Sequence, residues 1–319
     1  MASLFDYAFK IIVLQIYLMA LYWVESLFCK KYLDIMDKMV YQWNSFMDTP
    51  LSSTSWLLPR EHGAWGIVLI PYLTAVVIAG YWTPAVVVGL GAVLAAFIAR
   101  YPVELLFNQG LYRRAGSPPR SRVKKFACGY ATVASALGVG LISGWKLYLL
   151  LPIGLLALLL LAVHLRLGHE GEDRSWAAEL LGTAGLTLSG LAGWVVATGS
   201  LDATGALVWL LNCVFFCAGV VYVKARIRHR LAVHRPELRG TTRWMIACHA
   251  VMVIFVASLL IARWIPPLVA VPFALAAARA GWGAAQGERP FALRRLGWSE
   301  VALSVFFALF LTLGFRLAS

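Results

Sequence analysis

Charge is scarce in this sequence. Of its 319 residues, only 13% are Asp, Glu, Lys or Arg, against about 25% in an ordinary soluble domain. Apolar residues fill the gap, at 61% of the chain and in long runs. So much apolar surface does not stay in water, which excludes a soluble enzyme or binding module and points to a chain that crosses a membrane many times. Cysteine is also sparse. The five are Cys29, Cys128, Cys213, Cys217 and Cys248. None stands in a CxxC or Cys/His spacing, so they read as small buried hydrophobes, and no metal site or cofactor is expected. Cys213 and Cys217, four apart, share a helix face. The apolar runs lack the two-residue alternation of a membrane β-barrel.

The first fifty residues lack something different. They contain neither Gly nor Arg, yet hold five of the seven Met, and all 27 Gly lie beyond residue 60. This shift separates residues 1–55, an atypical helical extension, from residues 56–319. The first apolar run begins at about residue 7 and has no small-residue cleavage site. Asp6, Lys10, Gln15 and Glu25 interrupt it, so two placements remain open: a span, or an amphipathic helix in the interface with Trp23 at headgroup depth. In the stretch that follows, Ile35, Met39 and Trp43 are spaced by four, as on one face of a helix.

From Gly63 onward the pattern is all-α. Nine spans are expected, at 64–82, 84–103, 124–143, 147–165, 177–197, 204–223, 243–262, 266–282 and 298–317. Nearly all are long enough to cross about 30 Å of hydrocarbon. Small residues recur inside them, as in GYATVASALGVG and LSGLAGW, and let helices approach closely where lipid gives no hydrophobic push.

The net charge of +13 reports topology rather than a nucleic-acid partner. Arg113, Arg114, Arg120, Arg122, Lys124 and Lys125 fall after span two, and Arg166 and Arg174 after span four. Lys224, Arg226, Arg228, Arg230, Arg235 and Arg239 fall after span six, and Arg289, Arg294 and Arg295 after span eight. The alternate loops carry only Lys146, Asp202 and Arg263. The positive-inside rule puts the first set in the cytoplasm. The expected location is a bacterial cytoplasmic (inner) membrane.

Charges within or beside spans are expensive and therefore informative. In this orientation Glu61, His62, Arg100, Glu104, Asn108, His164, Glu179, Tyr222, Lys224, Arg226, Arg279 and Glu300 all fall at cytoplasmic helix ends. One polar cavity opening to the cytoplasm accounts for that. So does the plainer fact that all helix ends reach the interface, where long side chains snorkel. Arg100, Glu104 and Asn108, spaced by four, share one helix face. His62 is the candidate base, since imidazole titrates near operating pH. Arg100 and Arg226 would clamp an anion, with Glu61, Glu104, Asn108, His164, Glu179, Tyr222 and Lys224 completing the ligand-binding set. In the acidic stretch around Glu170, Glu172 and Asp173, Gly168 and Gly171 indicate a solvated loop, and Ser175 with Glu179 resembles the opening of span five.

Four segments carry a resemblance. PREHGAWGIVLIP at 59–71, ARYPVELL at 99–106, DRSWAAELLG at 173–182 and YVKARIRHR at 222–230 resemble the YwiC-like family of bacterial integral membrane proteins, over about residues 56–317. More distantly, the chain is similar to the UbiA-type prenyltransferases. That likeness implies nine spans and a cytoplasm-facing site with Asp-rich motifs at the ends of spans two and six, where Mg²⁺ would engage a diphosphate. The matching positions here are Arg100, Glu104 and Asn108, then Tyr222 and Lys224, which leaves one carboxylate. The resemblance therefore implies a bound lipid, isoprenoid or quinone-like headgroup without magnesium-dependent prenyl transfer. Two alternatives stand beside it: a noncatalytic subunit or assembly factor that docks on membrane-complex partners through residues 1–50, and a transporter.

Overall fold

The computed structural model describes residues 57–59, 62–170, 175–231, 241–286 and 293–318. The N-terminal extension, Glu61 and the acidic positions Glu172 and Asp173 lie outside the described residues, as does the side chain of His62.

The described chain is helical: α1 (His62–Ala79), α2 (Pro84–Phe107), α3 (Gln109–Arg114), α4 (Arg120–Trp145), α5 (Leu150–His169), α6 (Trp176–Thr187), α7 (Ser189–Thr198), α8 (Ala203–Leu231), α9 (Thr241–Ile261), α10 (Pro267–Ala285) and α11 (Leu293–Ala318). Eight helical stretches, one of them α6 continued through α7, are long and apolar enough to cross a membrane, and α1 is a shorter apolar helix. Each expected span from Gly63 onward thus coincides with a described helix or, for the fifth, a helix pair. The protein is a multi-pass membrane protein.

Local chemistry sets the boundaries. Pro84 and Pro267 open α2 and α10, where a missing N–H costs nothing. Gly80 and Gly199 take positive φ just after α1 and α7, the left-handed conformation that stops a helix. Ser175 caps α6 by accepting the Ala178 N–H at 3.1 Å. The fifth expected span differs from a single helix, because it breaks at Leu188. The Thr187 hydroxyl bonds back to the Ala184 carbonyl at 2.9 Å, and the Ser189 hydroxyl donates to Val68 on α1 at 2.7 Å. Side-chain bonds of this kind compete with the helical ladder.

The break lets α7 lie tightly on α1. A Cβ at Gly193 would sit 2.8 Å from the Tyr72 carbonyl oxygen, and one at Gly190 3.3 Å from that of Pro71. Backbone meets backbone here, as small residues permit in membranes. Gly193→Ala is therefore expected to cost about 1–3 kcal/mol through overpacking, read as a lower midpoint of thermal unfolding. An unchanged midpoint would show that α1 and α7 separate at no cost.

The interior is filled by aromatic contact. Phe215 of α8 stacks on Phe307 of α11 at 3.9 Å, and Phe273 of α10 meets both edge-on. Peripheral helices bury far less. In α4 only Val123, Ala127 and Leu141 are buried, and in α5 no residue is. Their exposed Leu and Val side chains suit lipid.

Candidate functional site

Ten of the twelve polar positions singled out above are described with their side chains, and contacts between helices gather most of them at one end of the bundle. Glu104, near the end of α2, pairs with the Arg100 guanidinium one turn earlier. The same carboxylate oxygen lies 3.4 Å from His164 Nε2, near the end of α5. His164 Nδ1 is 3.1 Å from the Ala178 carbonyl of α6. Both ring nitrogens thus face oxygen atoms, and neutral imidazole carries one hydrogen. This contact ties three helices together, and His169 Nδ1 lies 3.4 Å from the Phe107 carbonyl close by.

The residue after Ala178 begins the next contact. Glu179 accepts Lys224 Nζ of α8 at 2.9 Å. Trp176, one turn before Glu179, carries Lys224 Nζ at 4.8 Å and Arg228 Cζ at 4.9 Å from its ring centre. Cations over an indole face are attracted by the ring quadrupole. Lys224 is buried by this packing.

Two turns of α8 then reach α10 and α11. Arg226, also buried, donates to the Gly283 carbonyl at 2.6 Å and to Gln286 Oε1 at 3.3 Å. It serves the last carbonyls of α10, which lack helical partners. On the neighbouring face Arg279 Cζ lies 4.1 Å over the Tyr222 ring. Arg279 donates from its two terminal nitrogens to the two oxygens of Glu300, at 2.6 and 3.2 Å, a bidentate pair.

Asn108 takes a local role. Its Oδ1 accepts the Leu111 N–H at 2.9 Å and caps α3. His62 begins α1. Three residues on, Trp65 packs edge-on to Phe97 of α2 at 4.9 Å and donates to the Pro59 carbonyl at 3.4 Å. A shallow hollow at the start of α4 is lined by Ser121, Arg122, Lys125 and Phe126, none of them a candidate position.

Arg100, Glu104, His164, Glu179, Lys224, Arg226 and Tyr222 thus form a chain of contacts across α2, α5, α6, α8, α10 and α11. Arg279 and Glu300, noted above as membrane charges but outside the ligand set, belong to it. Trp176 and His249 were missed. A histidine inside an apolar run is a readable signal, and Trp176 stands one turn from Glu179. Among the described residues, the cations Arg100, Lys224, Arg226, Arg228 and Arg279 stand beside the carboxylates Glu104, Glu179 and Glu300.

The three described carboxylates of the belt are already engaged by nitrogen groups. Glu104 is held between two nitrogen groups, Glu179 by Lys224 and Glu300 by Arg279. A divalent cation asks for several free oxygen ligands. Among the described residues, no three His, Cys, Asp or Glu side chains group around a metal position.

Comparison with known proteins supports one resemblance. The family model described as YwiC-like protein matches residues 58–196. The uncharacterized protein YwiC of Bacillus subtilis (strain 168) is 26% identical over 210 residues, 65% of this chain and 80% of that relative. No solved structure matches. The match begins at PREHGAW and takes in the Arg100–Glu104–His164 contact and the α1–α7 crossing, and over these residues the chain is similar to the YwiC-like family.

Proposed function

We propose that the polar belt faces the cytoplasm, in the cytoplasmic membrane of a bacterium, and binds the anionic headgroup of a lipid or isoprenoid phosphate. The observation that carries this reading is the corner where Lys224 and Arg228 flank the Trp176 ring. An indole with two cations at a helix end suits a group that has a charged head and an apolar body. Magnesium-dependent transfer of a prenyl group is not part of the reading.

The test is native mass spectrometry of protein released gently from nanodiscs, with farnesyl phosphate and phosphatidylglycerol as probes. One or both should be retained, and the variant Lys224→Gln with Arg228→Gln should hold them roughly tenfold more weakly, as expected for losing a charged contact. Absence of retained probe, or equal retention by the variant, would overturn the reading.

The atypical composition of the N-terminal extension favours a second reading, a noncatalytic subunit or assembly factor of a larger membrane complex that docks through residues 1–50. Removal of those residues should then release partners in a pull-down; unchanged association speaks against it.

A further inference from the structure

His249 lies on α9, and no catalytic or binding role has been given to it above. It is 3% exposed. Its Nδ1 is 2.9 Å from the Met245 carbonyl. A carbonyl only accepts, so Nδ1 carries the hydrogen and the neutral ring keeps its lone pair at Nε2. That Nε2 is buried and has no hydrogen-bond partner. The Tyr222 ring stands 6.5 Å away at 73°, and the Arg279 guanidinium covers the same tyrosine. Glu300 uses both terminal nitrogens of Arg279. The Arg279 Nε–H is buried and likewise has no partner.

Two buried atoms around one tyrosine are therefore left over, and they are of opposite sense: an acceptor on His249 and a donor on Arg279. Leaving either unsatisfied is costly in apolar surroundings. A carbonyl or ether oxygen would serve Arg279 alone. An anion would meet the His249 lone pair and a guanidinium already neutralised by Glu300. A hydroxyl both donates and accepts. Val221, Met245, Ala280 and Leu296 supply apolar packing around the group, while Trp244 of α9 and Trp282 of α10 are exposed nearby in sequence, where indoles mark a membrane interface.

We propose that His249 and Arg279, held by Tyr222 and Glu300, form a site between α8, α9, α10 and α11 for the hydroxyl head of an apolar alcohol. The hydroxyl donates to His249 Nε2 and accepts from Arg279 Nε, and the alcohol's chain lies among apolar side chains. This site uses different polar atoms from the headgroup corner at Trp176, although Trp176 packs against the same apolar cluster.

The full chain in phosphatidylcholine nanodiscs, whose lipid carries no free hydroxyl, allows a direct test by thermal unfolding. The probes are 1-dodecanol, its methyl ether and dodecyl phosphate. Dodecanol should raise the unfolding midpoint saturably, and the ether should not. In His249→Phe the dodecanol affinity should fall roughly five- to tenfold, the effect of losing one hydrogen bond. His249→Gln, which restores an acceptor, should retain part of it. Alcohol and ether acting alike on the unaltered chain would overturn the proposal even if both variants failed to fold. It would assign the two atoms to a buried water instead. An unchanged response in a folded His249→Phe overturns it as well. Dodecyl phosphate reads the Trp176 corner, so its response should survive His249→Phe and fall with Lys224→Gln and Arg228→Gln. The two readings can thus fail separately.

Discussion

Glu300→Ala is expected to cost the bundle about 3–5 kcal/mol, the usual loss when one member of a buried ion pair is removed. Glu300 accepts from both terminal nitrogens of Arg279, and the two side chains are 24% and 17% exposed. Without the carboxylate, a guanidinium remains beside the Tyr222 ring with no counter-charge among apolar helices. The tyrosine face offsets a fraction of that, about 2 kcal/mol at best. The comparison that isolates the cause is the double change Arg279→Met with Glu300→Met. Replacing both partners by apolar groups of similar length should restore most of the stability, because no unpaired charge is left. Unfolding in mixed micelles, followed by tryptophan fluorescence, reads both variants. A loss below about 1 kcal/mol in Glu300→Ala would mean that water or headgroups already screen the pair.

The second large effect is expected at Glu104. Glu104→Ala leaves the Arg100 guanidinium and His164 Nε2 without the oxygen they share. The expected cost is again about 3–5 kcal/mol, with less for Glu104→Gln, whose amide oxygen still accepts one bond. The consequence should be local. No residue of α5 is buried, so its C-terminal half is held to α2 largely through polar contacts at His164 and His169. Hydrogen exchange of α5 residues 160–169 should therefore rise in Glu104→Ala while α9–α11 stay protected. Uniform loss of protection across the bundle would show that this contact supports the whole fold.

The charge pattern singled out helix ends whose side chains meet one another in the folded chain. Arg100 and Glu104, one turn apart on α2, were readable as a pair because helix geometry alone brings them together. Ser175 was readable as a cap for the same local reason. Asn108 shared their spacing but serves the next helix, since α2 ends there and its side chain meets a free N–H of α3. The break at Leu188 was invisible in an evenly apolar run, because its cause is a serine bond to α1, 121 residues away in sequence.

By itself the sequence determined the class of protein, the order of the nine apolar stretches from Gly63 onward, and which helix ends carry charge. Those are local properties: run length sets a span, and proline, glycine and serine set its ends. The tertiary structure alone decided who pairs with whom. His164 chooses Glu104, Lys224 chooses Glu179, and Arg226 reaches a carbonyl 57 residues onward. In an apolar medium each buried charge must find a partner, and several partners are compatible with the same composition. Which one is met depends on how the helices cross, and that is set by packing between distant small residues such as Gly190 and Gly193 against α1.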